Sequence, residues 1–215
     1  MEKITIHIRP INWEQGDVYG ISMRLSGESP AVRIDWGDGS IKTRYGSEIE
    51  EHHIYPKDEA LSFIVTITLL SGSIDYVDPT GGDCDYEMID FSEAPSIKEI
   101  HAERSQKIIF DNPNLERMML RINLGNEYDL SNCPNLRDLT FHCESNCEVI
   151  DLSHCHKLES LSCWGYSSKN LHKISIANDA PLRYIEICGH NLHPACLAAI
   201  HRIIDRNGGE IVGEF

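Results

Sequence analysis

The residue types best suited to metal chemistry are cysteines and histidines in the second half of the chain. They are His142, Cys143, Cys147, His154, Cys155, His156 and Cys163. A structural zinc ion needs ligands that converge as a tetrahedron, and the paired Cys-x2-Cys spacing typical of such sites is missing. Cys155 and Cys163 fall at different points of one repeated phrase, and Cys163 is expected to point into the core. We therefore predict no metal site and no cofactor, with convergence of Cys143, Cys147 and His154 on zinc as the alternative.

Two groups of carboxylates are candidates for calcium. Asp35 and Asp38 flank Trp36, but calcium takes about six to eight oxygens, and a tight turn whose carboxylates accept backbone N–H groups is the favoured interpretation. The second group lies in the acidic segment 75–87. It contains Asp75, Asp78, Asp83 and Asp85. Because this segment lacks the Asp-x-Asp-x-Asp-Gly order of a dedicated calcium loop, we predict a solvated linker and leave calcium open at both places.

The motifs and the charge of the chain do not favour catalysis, nucleic-acid binding or membrane insertion. The sequence has no Gly-x-Ser-x-Gly, no phosphate-binding glycine loop and no His-Glu-x-x-His, so we predict a protein that is not an enzyme. A metal-dependent enzyme is the less favoured alternative. Lys plus Arg number 19 and Asp plus Glu number 34, and the resulting net charge of -15 repels polyphosphate. The longest apolar stretch, 63–70, is too short to insert into a membrane.

The composition is that of a globular chain with room for two modest domains. Of the 215 residues, 41% are apolar and 25% are charged, which excludes a disordered chain. Several of the eight cysteines stand inside apolar patterns. We therefore expect buried free thiols, with disulfides and metal ligation as the alternatives.

The first 80 residues alternate apolar and polar side chains in several short runs. Ile4, Ile6 and Ile8 form one such run, and 63–69 forms another. This period of two indicates strands with one buried face, and turn residues separate the runs. We predict a β-sandwich at 1–80, followed by the acidic linker 81–87.

After residue 88 the sequence repeats one phrase. Residues 129–141 (DLSNCPNLRDLTF) and 151–163 (DLSHCHKLESLSC) match at an offset of 22, and 108–120 fits one copy earlier at an offset of 21. Residues 90–102 and 175–187 fit more loosely. A fixed period with Leu-x-x-Leu-x-apolar at its centre indicates stacked coils whose apolar side chains form one spine.

A solenoid built this way needs corners and closed ends. Cys133 and Cys155 occupy a corner position that we align with Asn112 and Asp179, near turning backbone amides. The apolar spacing of 194–206, between a proline and a glycine pair, predicts a capping helix, and Ile211-Val212 predicts a short final strand. The predicted fold class is therefore mainly β, with an N-terminal β-sandwich and a solenoid with helical cap at 88–215.

Both halves resemble known families. Residues 88–192 resemble leucine-rich repeats, of the approximately 21-residue type found in surface proteins of Bacteroidetes. The N-terminal half contains Ile34-Asp35-Trp36-Gly37-Asp38-Gly39-Ser40, then His53-Ile54-Tyr55, then the strand 63–68. On these residues it resembles a polycystic-kidney-disease (PKD) repeat, an immunoglobulin-like sandwich. The resemblance to PKD repeats implies a spacer or docking module of an exported protein.

The surface predicted to bind is the set of outward residues beside the inward leucines. These residues are Met119, Arg121, Thr140, His142, Ser162, Trp164, Tyr166, Tyr184 and Glu186. Solenoids present such residues in register, and a Trp-Tyr pair near arginine is typical of an interface; packing of Trp164 over a coil corner is the alternative. We predict a recognition or adhesion protein that binds a protein or a glycan. A cytosolic protein–protein adaptor is the alternative, and the sequence leaves the location open between cell surface, secreted and cytoplasmic.

Overall fold

The computed structural model describes residues 1–10, 18–55, 62–82, 84–122, 129–143, 148–164, 171–188 and 191–213. These residues are mainly β with one C-terminal helix, as predicted. The strands of the N-terminal half are β1 (Lys3–Pro10), β2 (Val18–Asp35), β3 (Ile41–Tyr45), β4 (Glu48–Ile54), β5 (Phe63–Gly82) and β6 (Cys84–Asp90). They are followed by β7 (Glu99–Glu103), β8 (Ile108–Ile109), β9 (Arg117–Ile122), β10 (Asp138–Cys143), β11 (Val149–Leu152), β12 (Ser160–Trp164), β13 (Lys173–Ile176), β14 (Tyr184–Cys188), α1 (Pro194–Asn207) and β15 (Glu210–Val212). No helix in these ranges has the length and apolarity that a membrane span requires.

The strands of the N-terminal half pair in antiparallel fashion around two long strands, β2 and β5. The first part of β2 pairs with β4 and with the end of β5, whereas its last part pairs with β3 and with the start of β5. β1 lies between β5 and β6. The predicted alternation is confirmed in β1, where Ile4, Ile6 and Ile8 are fully buried and the residues between them are not.

The turn after β2 is held by aromatic packing and requires a glycine. Gly37 has a φ of 83°, and a Cβ at this position would lie 2.6 Å from the carbonyl oxygen of Ile64. Only glycine fits such a position. The Trp36 ring stacks on His53 with 4.8 Å between ring centroids, and the Tyr55 hydroxyl donates to the Trp36 carbonyl at 2.9 Å.

The acidic segment 81–87 differs from the predicted linker. β5 continues to Gly82 and β6 begins at Cys84, so the predicted domain boundary falls inside these two strands. Cys84 and Tyr86 are buried, and the acidic residues that alternate with them are only partly exposed on the other face of β6. The acidic composition concealed an alternating strand pattern, which is why the prediction of a linker was wrong.

The strands of the C-terminal half form a parallel ladder, in the order β7, β9, β10, β12, β14 and β15. Leu139 of β10 pairs with Leu161 of β12, which is the offset of 22 residues found in the sequence. The outer copies pair in the same way, although the number of residues between their strands differs. Ile185 of β14, for example, lies opposite Leu161 of β12. β5 pairs in parallel with β7, so the antiparallel strands cover the first edge of the ladder.

The corners before the ladder strands repeat one backbone turn. The Cys133 N–H donates to Leu130 O and the Cys155 N–H donates to Leu152 O, at 3.0 and 3.1 Å. The side chains at the corner position are fully buried in every copy: Ala94, Asn112, Cys133, Cys155 and Ala180. The alignment of Asp179 with this position was therefore wrong. The last copy has one residue fewer between this corner and its strand, so Ala180 takes the buried place and Asp179 is exposed.

The C-terminal helix closes the other end of the ladder, as predicted for 194–206. Pro194 stands in its first turn and Gly208, with a φ of 66°, ends it. Ile200, Ile203 and Ile204 are buried. β15 then pairs with β14, so the predicted final strand is present.

Candidate binding face

The outward side chains of β7, β9, β10, β12 and β14, here called the outer face, form three rows that cross the parallel ladder. The first row contains Glu99, Arg117, Asp138, Ser160 and Tyr184. The middle row contains His101, Met119, Thr140, Ser162 and Glu186. The last row contains Glu103, Arg121, His142, Trp164 and Cys188. The structure thus brings every predicted binding residue onto one surface except Tyr166, which lies outside the described residues.

An aromatic pair marks the last row. The rings of His142 and Trp164 meet edge to face, with 5.3 Å between their centroids. Trp164 is partly exposed, while its Nε1 atom is shielded from solvent and has no hydrogen-bond partner among the described residues. A shielded indole N–H without an acceptor is energetically unfavourable, so a ligand that supplied an oxygen after a small ring rotation would relieve it.

Glu186 in the middle row accepts hydrogen bonds from two hydroxyl groups. The Tyr184 hydroxyl donates to Glu186 Oε2 at 3.2 Å, and the Ser162 hydroxyl donates to the same oxygen at 3.5 Å. Partial burial and the neighbouring carboxylate together raise the pKa of Tyr184. Within the described ranges no cation lies within 4 Å of this carboxylate.

Asp138 in the first row is likewise without an ion pair among the described residues. Its pKa is raised, first by partial burial and then by the nearby Glu159 carboxylate. The two arginines near it are engaged elsewhere, because Arg117 binds Glu99 and Arg137 binds Glu159. The sequence analysis missed Asp138, although it stands two residues before Thr140 and therefore on the same side of β10.

The N-terminal end of the outer face is occupied by its own ion pairs. Glu99 Oε2 accepts from Arg24 at 2.8 Å and from Arg117 at 3.0 Å. The Arg24 guanidinium also lies over the Tyr76 ring, 4.6 Å from its centroid, and the Tyr76 hydroxyl contacts His101 Nδ1 at 3.3 Å. Arg24 lies 75 residues before Glu99 in the chain, so no local sequence signal joins these residues.

A row of alternating charge, the edge row, runs along the start of the ladder strands. It consists of Lys98, Glu116, Arg137, Glu159 and Arg183. The backbone N–H of each member after the first donates to the carbonyl of the preceding member, which keeps them in register. Opposite charges beside neighbouring strands attract one another, as between Arg137 and Glu159, so this row is compensated internally.

The described candidate ligands for calcium are already bonded within the chain. Asp35 accepts from the Gly37 N–H at 3.1 Å, and Asp38 accepts from the Ser40 N–H and contacts His53 Nε2 at 2.7 Å. In the acidic segment, Asp75 pairs with Lys98, Asp78 accepts from Thr80, and Asp85 pairs with Arg9. The described residues contain no group of three or more metal-ligating side chains. The Cys143 side chain, Cys147 and Asp83 lie outside what the structure describes.

The buried cysteine thiols are poor nucleophiles and poor ligands. Burial raises the pKa of Cys133 to about 12 and that of Cys155 to about 11, so both thiols stay protonated at neutral pH. Six cysteines of the described residues are not disulfide-bonded: Cys84, Cys133, Cys155, Cys163, Cys188 and Cys196.

A cleft of about 530 Å³ lies between α1 and the outer edge of β13, away from the outer face. Ile174, Ile200 and Ile203 form part of its apolar lining. The Cys196 thiol lies in it and exchanges hydrogen bonds with both backbone groups of Ile174, at 3.3 and 3.2 Å. The cleft thus lies between the helix and β13, and the Cys196 thiol joins the two.

Comparisons of the chain with models of protein families, with curated proteins and with solved structures find no match.

Proposed function

We propose that this chain is a recognition protein without catalytic activity, which binds a protein or a glycan through the outer face. In this proposal the parallel ladder is a leucine-rich-repeat solenoid with a helical cap. The antiparallel strands form a PKD-like sandwich that covers the first coil and acts as a spacer or docking module. The sequence resemblances support this interpretation.

The observation that carries the proposal is the register of the ladder. Thr140 lies directly between Met119 and Ser162 on neighbouring strands, and Glu186 follows Ser162. Residues far apart in the sequence therefore form one continuous surface with polar and aromatic members. A surface that is already ordered loses little conformational entropy on binding, which supports a role in recognition.

A cytosolic adaptor is the second candidate. The six cysteines without disulfides favour it, because thiols persist in a reducing compartment. The outer face would serve as the binding surface in either case, so the two candidates differ in location and partner only.

The test is a binding screen of the purified chain against an array of glycans and a set of defined surface proteins. Trp164→Ala removes the aromatic residue of the last row. Tyr45→Ala is the matched control, because Tyr45 is 77% exposed on β3, away from the outer face. We expect Trp164→Ala to abolish binding of any ligand found and Tyr45→Ala to retain it. Equal binding by both variants would remove the outer face from the proposal.

A further inference from the structure

The two ends of the outer face differ in what their carboxylates contact. At the N-terminal end, Glu99 is held by Arg24 and Arg117, and Glu103 faces Arg121 at 3.9 Å. Asp138 on β10 and Glu186 on β14 have no cation within 4 Å among the described residues. On β10 and β14 the outer face thus carries two carboxylates that no cation of the described residues pairs with.

A second observation on the same strands concerns a hydrogen-bond donor. The Trp164 Nε1–H has no acceptor within the described part of the chain, and its ring meets the His142 ring edge to face. Trp164 and Glu186 belong to neighbouring strands and adjacent rows. A ligand that supplied cations to these carboxylates and a carbonyl oxygen to this indole N–H would therefore complement this part of the face. An aromatic ring beside carboxylates is also suited to cation–π contact.

We propose that the outer face of β10, β12 and β14 docks a basic, extended peptide segment of a protein partner. An extended peptide supplies both missing components, because its arginine or lysine side chains provide the cations and its backbone provides the carbonyl. The net charge of -15 attracts such a segment from a distance. This inference rests on the proposed function and specifies the partner.

The spacing of the strands sets the spacing of the basic residues. Neighbouring strands lie about 4.8 Å apart and alternate residues of one strand about 6.8 Å apart. Asp138 and Glu186 are two strands and one row apart, which corresponds to about 12 Å. In an extended segment, side chains of one face four residues apart are separated by about 13 Å. We therefore expect two basic residues with three residues between them.

The test uses a synthetic peptide of about seven residues with blocked termini, which is about 23 Å long when extended. Two arginines in this peptide have the expected spacing, and all other residues are serine. The comparison peptides carry citrulline, which is neutral, in place of arginine. A neutral oligosaccharide is the third probe. We expect calorimetry to detect binding of the arginine peptide only, and to show that the binding disappears at about 1 M salt, where the Debye length is about 3 Å.

Isosteric variants separate docking from general attraction to an acidic chain. The double variant Asp138→Asn and Glu186→Gln should weaken binding about tenfold, as expected for two exposed charge contacts. The control Glu159→Gln removes a carboxylate that pairs with Arg137 in the edge row, and should leave the affinity nearly unchanged. Equal weakening by the control, or binding of the citrulline peptide, would overturn the inference. A chain that binds only an oligosaccharide or an acidic protein, in a Trp164-dependent manner, would overturn it while leaving the proposed function in place.

Discussion

Two carboxylates in different regions of the molecule have opposite surroundings. Glu51, in the antiparallel strands, is 8% exposed and contacts Lys42 Nζ at 2.9 Å and Arg44 Nε. Burial alone raises the pKa of Glu51, but the two cations outweigh it and hold the pKa below its ordinary value. Glu186, in the parallel ladder, contacts two hydroxyl groups and, among the residues described, no cation.

The two regions differ in how their polar groups are bonded. In the antiparallel half, side chains bond to groups of other segments: the Tyr55 hydroxyl to the Trp36 carbonyl and the His53 ring to the Asp38 carboxylate. The ladder repeats one backbone turn at its corners. On its later strands the outward carboxylates of Asp138 and Glu186 have no ion pair among the described residues, which is the reason for proposing recognition there.

The largest expected effect comes from removing the cap of the ladder. Deletion of 194–215 leaves the outer edge of β14 unpaired and uncovers apolar residues that α1 shields, so we expect insoluble or aggregated protein. Size-exclusion chromatography with circular dichroism measures this. The antiparallel strands keep their own pairs in this truncation, because β15 pairs with β14 and not with them. A soluble, monomeric truncation with an unchanged spectrum would remove this contrast.

The next effect concerns the apolar spine. Leu161→Ala should lower the free energy of unfolding by about 2–5 kcal/mol, because the leucine is fully buried between Leu139 and Ile185. Urea denaturation measures the loss. Ser162→Ala on the same strand points outward and should change stability by less than about 0.5 kcal/mol. Similar losses for both variants would contradict the assignment of inward and outward positions.

A smaller effect concerns the corner position. The Asn112 side chain is fully buried, and its Nδ2 donates to Phe91 O at 3.0 Å and to Ala94 O at 2.9 Å. Asn112→Ala should therefore destabilise the protein by about 1–2 kcal/mol. Asn114→Ala is the matched control, since the exposed Asn114 makes one similar bond to Pro95 O at 3.0 Å. A control that costs as much as Asn112→Ala would show that burial is not the reason.

The smallest effect is a difference in pH dependence between the two regions. Burial alone raises the pKa of Asp38, but the hydrogen bonds from Ser40 and His53 outweigh it and lower the pKa. Asp38 therefore stabilises the fold above its unfolded pKa, and this contribution disappears as the pH falls through the lowered folded pKa. The pKa of Asp138 is raised, so its ionised form opposes folding at neutral pH.

Substitutions to asparagine test these opposite signs. At neutral pH, Asp38→Asn should destabilise the protein and Asp138→Asn should not, with both changes below about 1 kcal/mol because solvent screens these groups. Thermal unfolding between acidic and neutral pH measures the difference. Loss of stability in both variants, with the same pH dependence, would contradict it.

The sequence allowed the ladder to be predicted in more detail than the antiparallel half. A fixed interval places Leu139 beside Leu161 whatever the intervening residues do, so one periodic signal predicts many contacts. The same reasoning fails where a copy loses a residue, as it does at Asp179 and Ala180. It also fails for Arg24 and Glu99, because their contact depends on how β5 approaches β7, and no repeat records that.

The most direct test of the central claim compares two isosteric changes, Glu51→Gln and Glu186→Gln. For each variant, urea denaturation gives the free energy of unfolding and calorimetry gives the affinity for the arginine peptide. We expect Glu51→Gln to lower stability by about 1–3 kcal/mol and to leave binding unchanged. Glu186→Gln should weaken binding and leave stability unchanged. The contrary result is a Glu186→Gln protein that loses as much stability as the Glu51→Gln protein and still binds the peptide with full affinity. That result would contradict the claim that the Glu186 carboxylate contacts a partner rather than stabilising the fold.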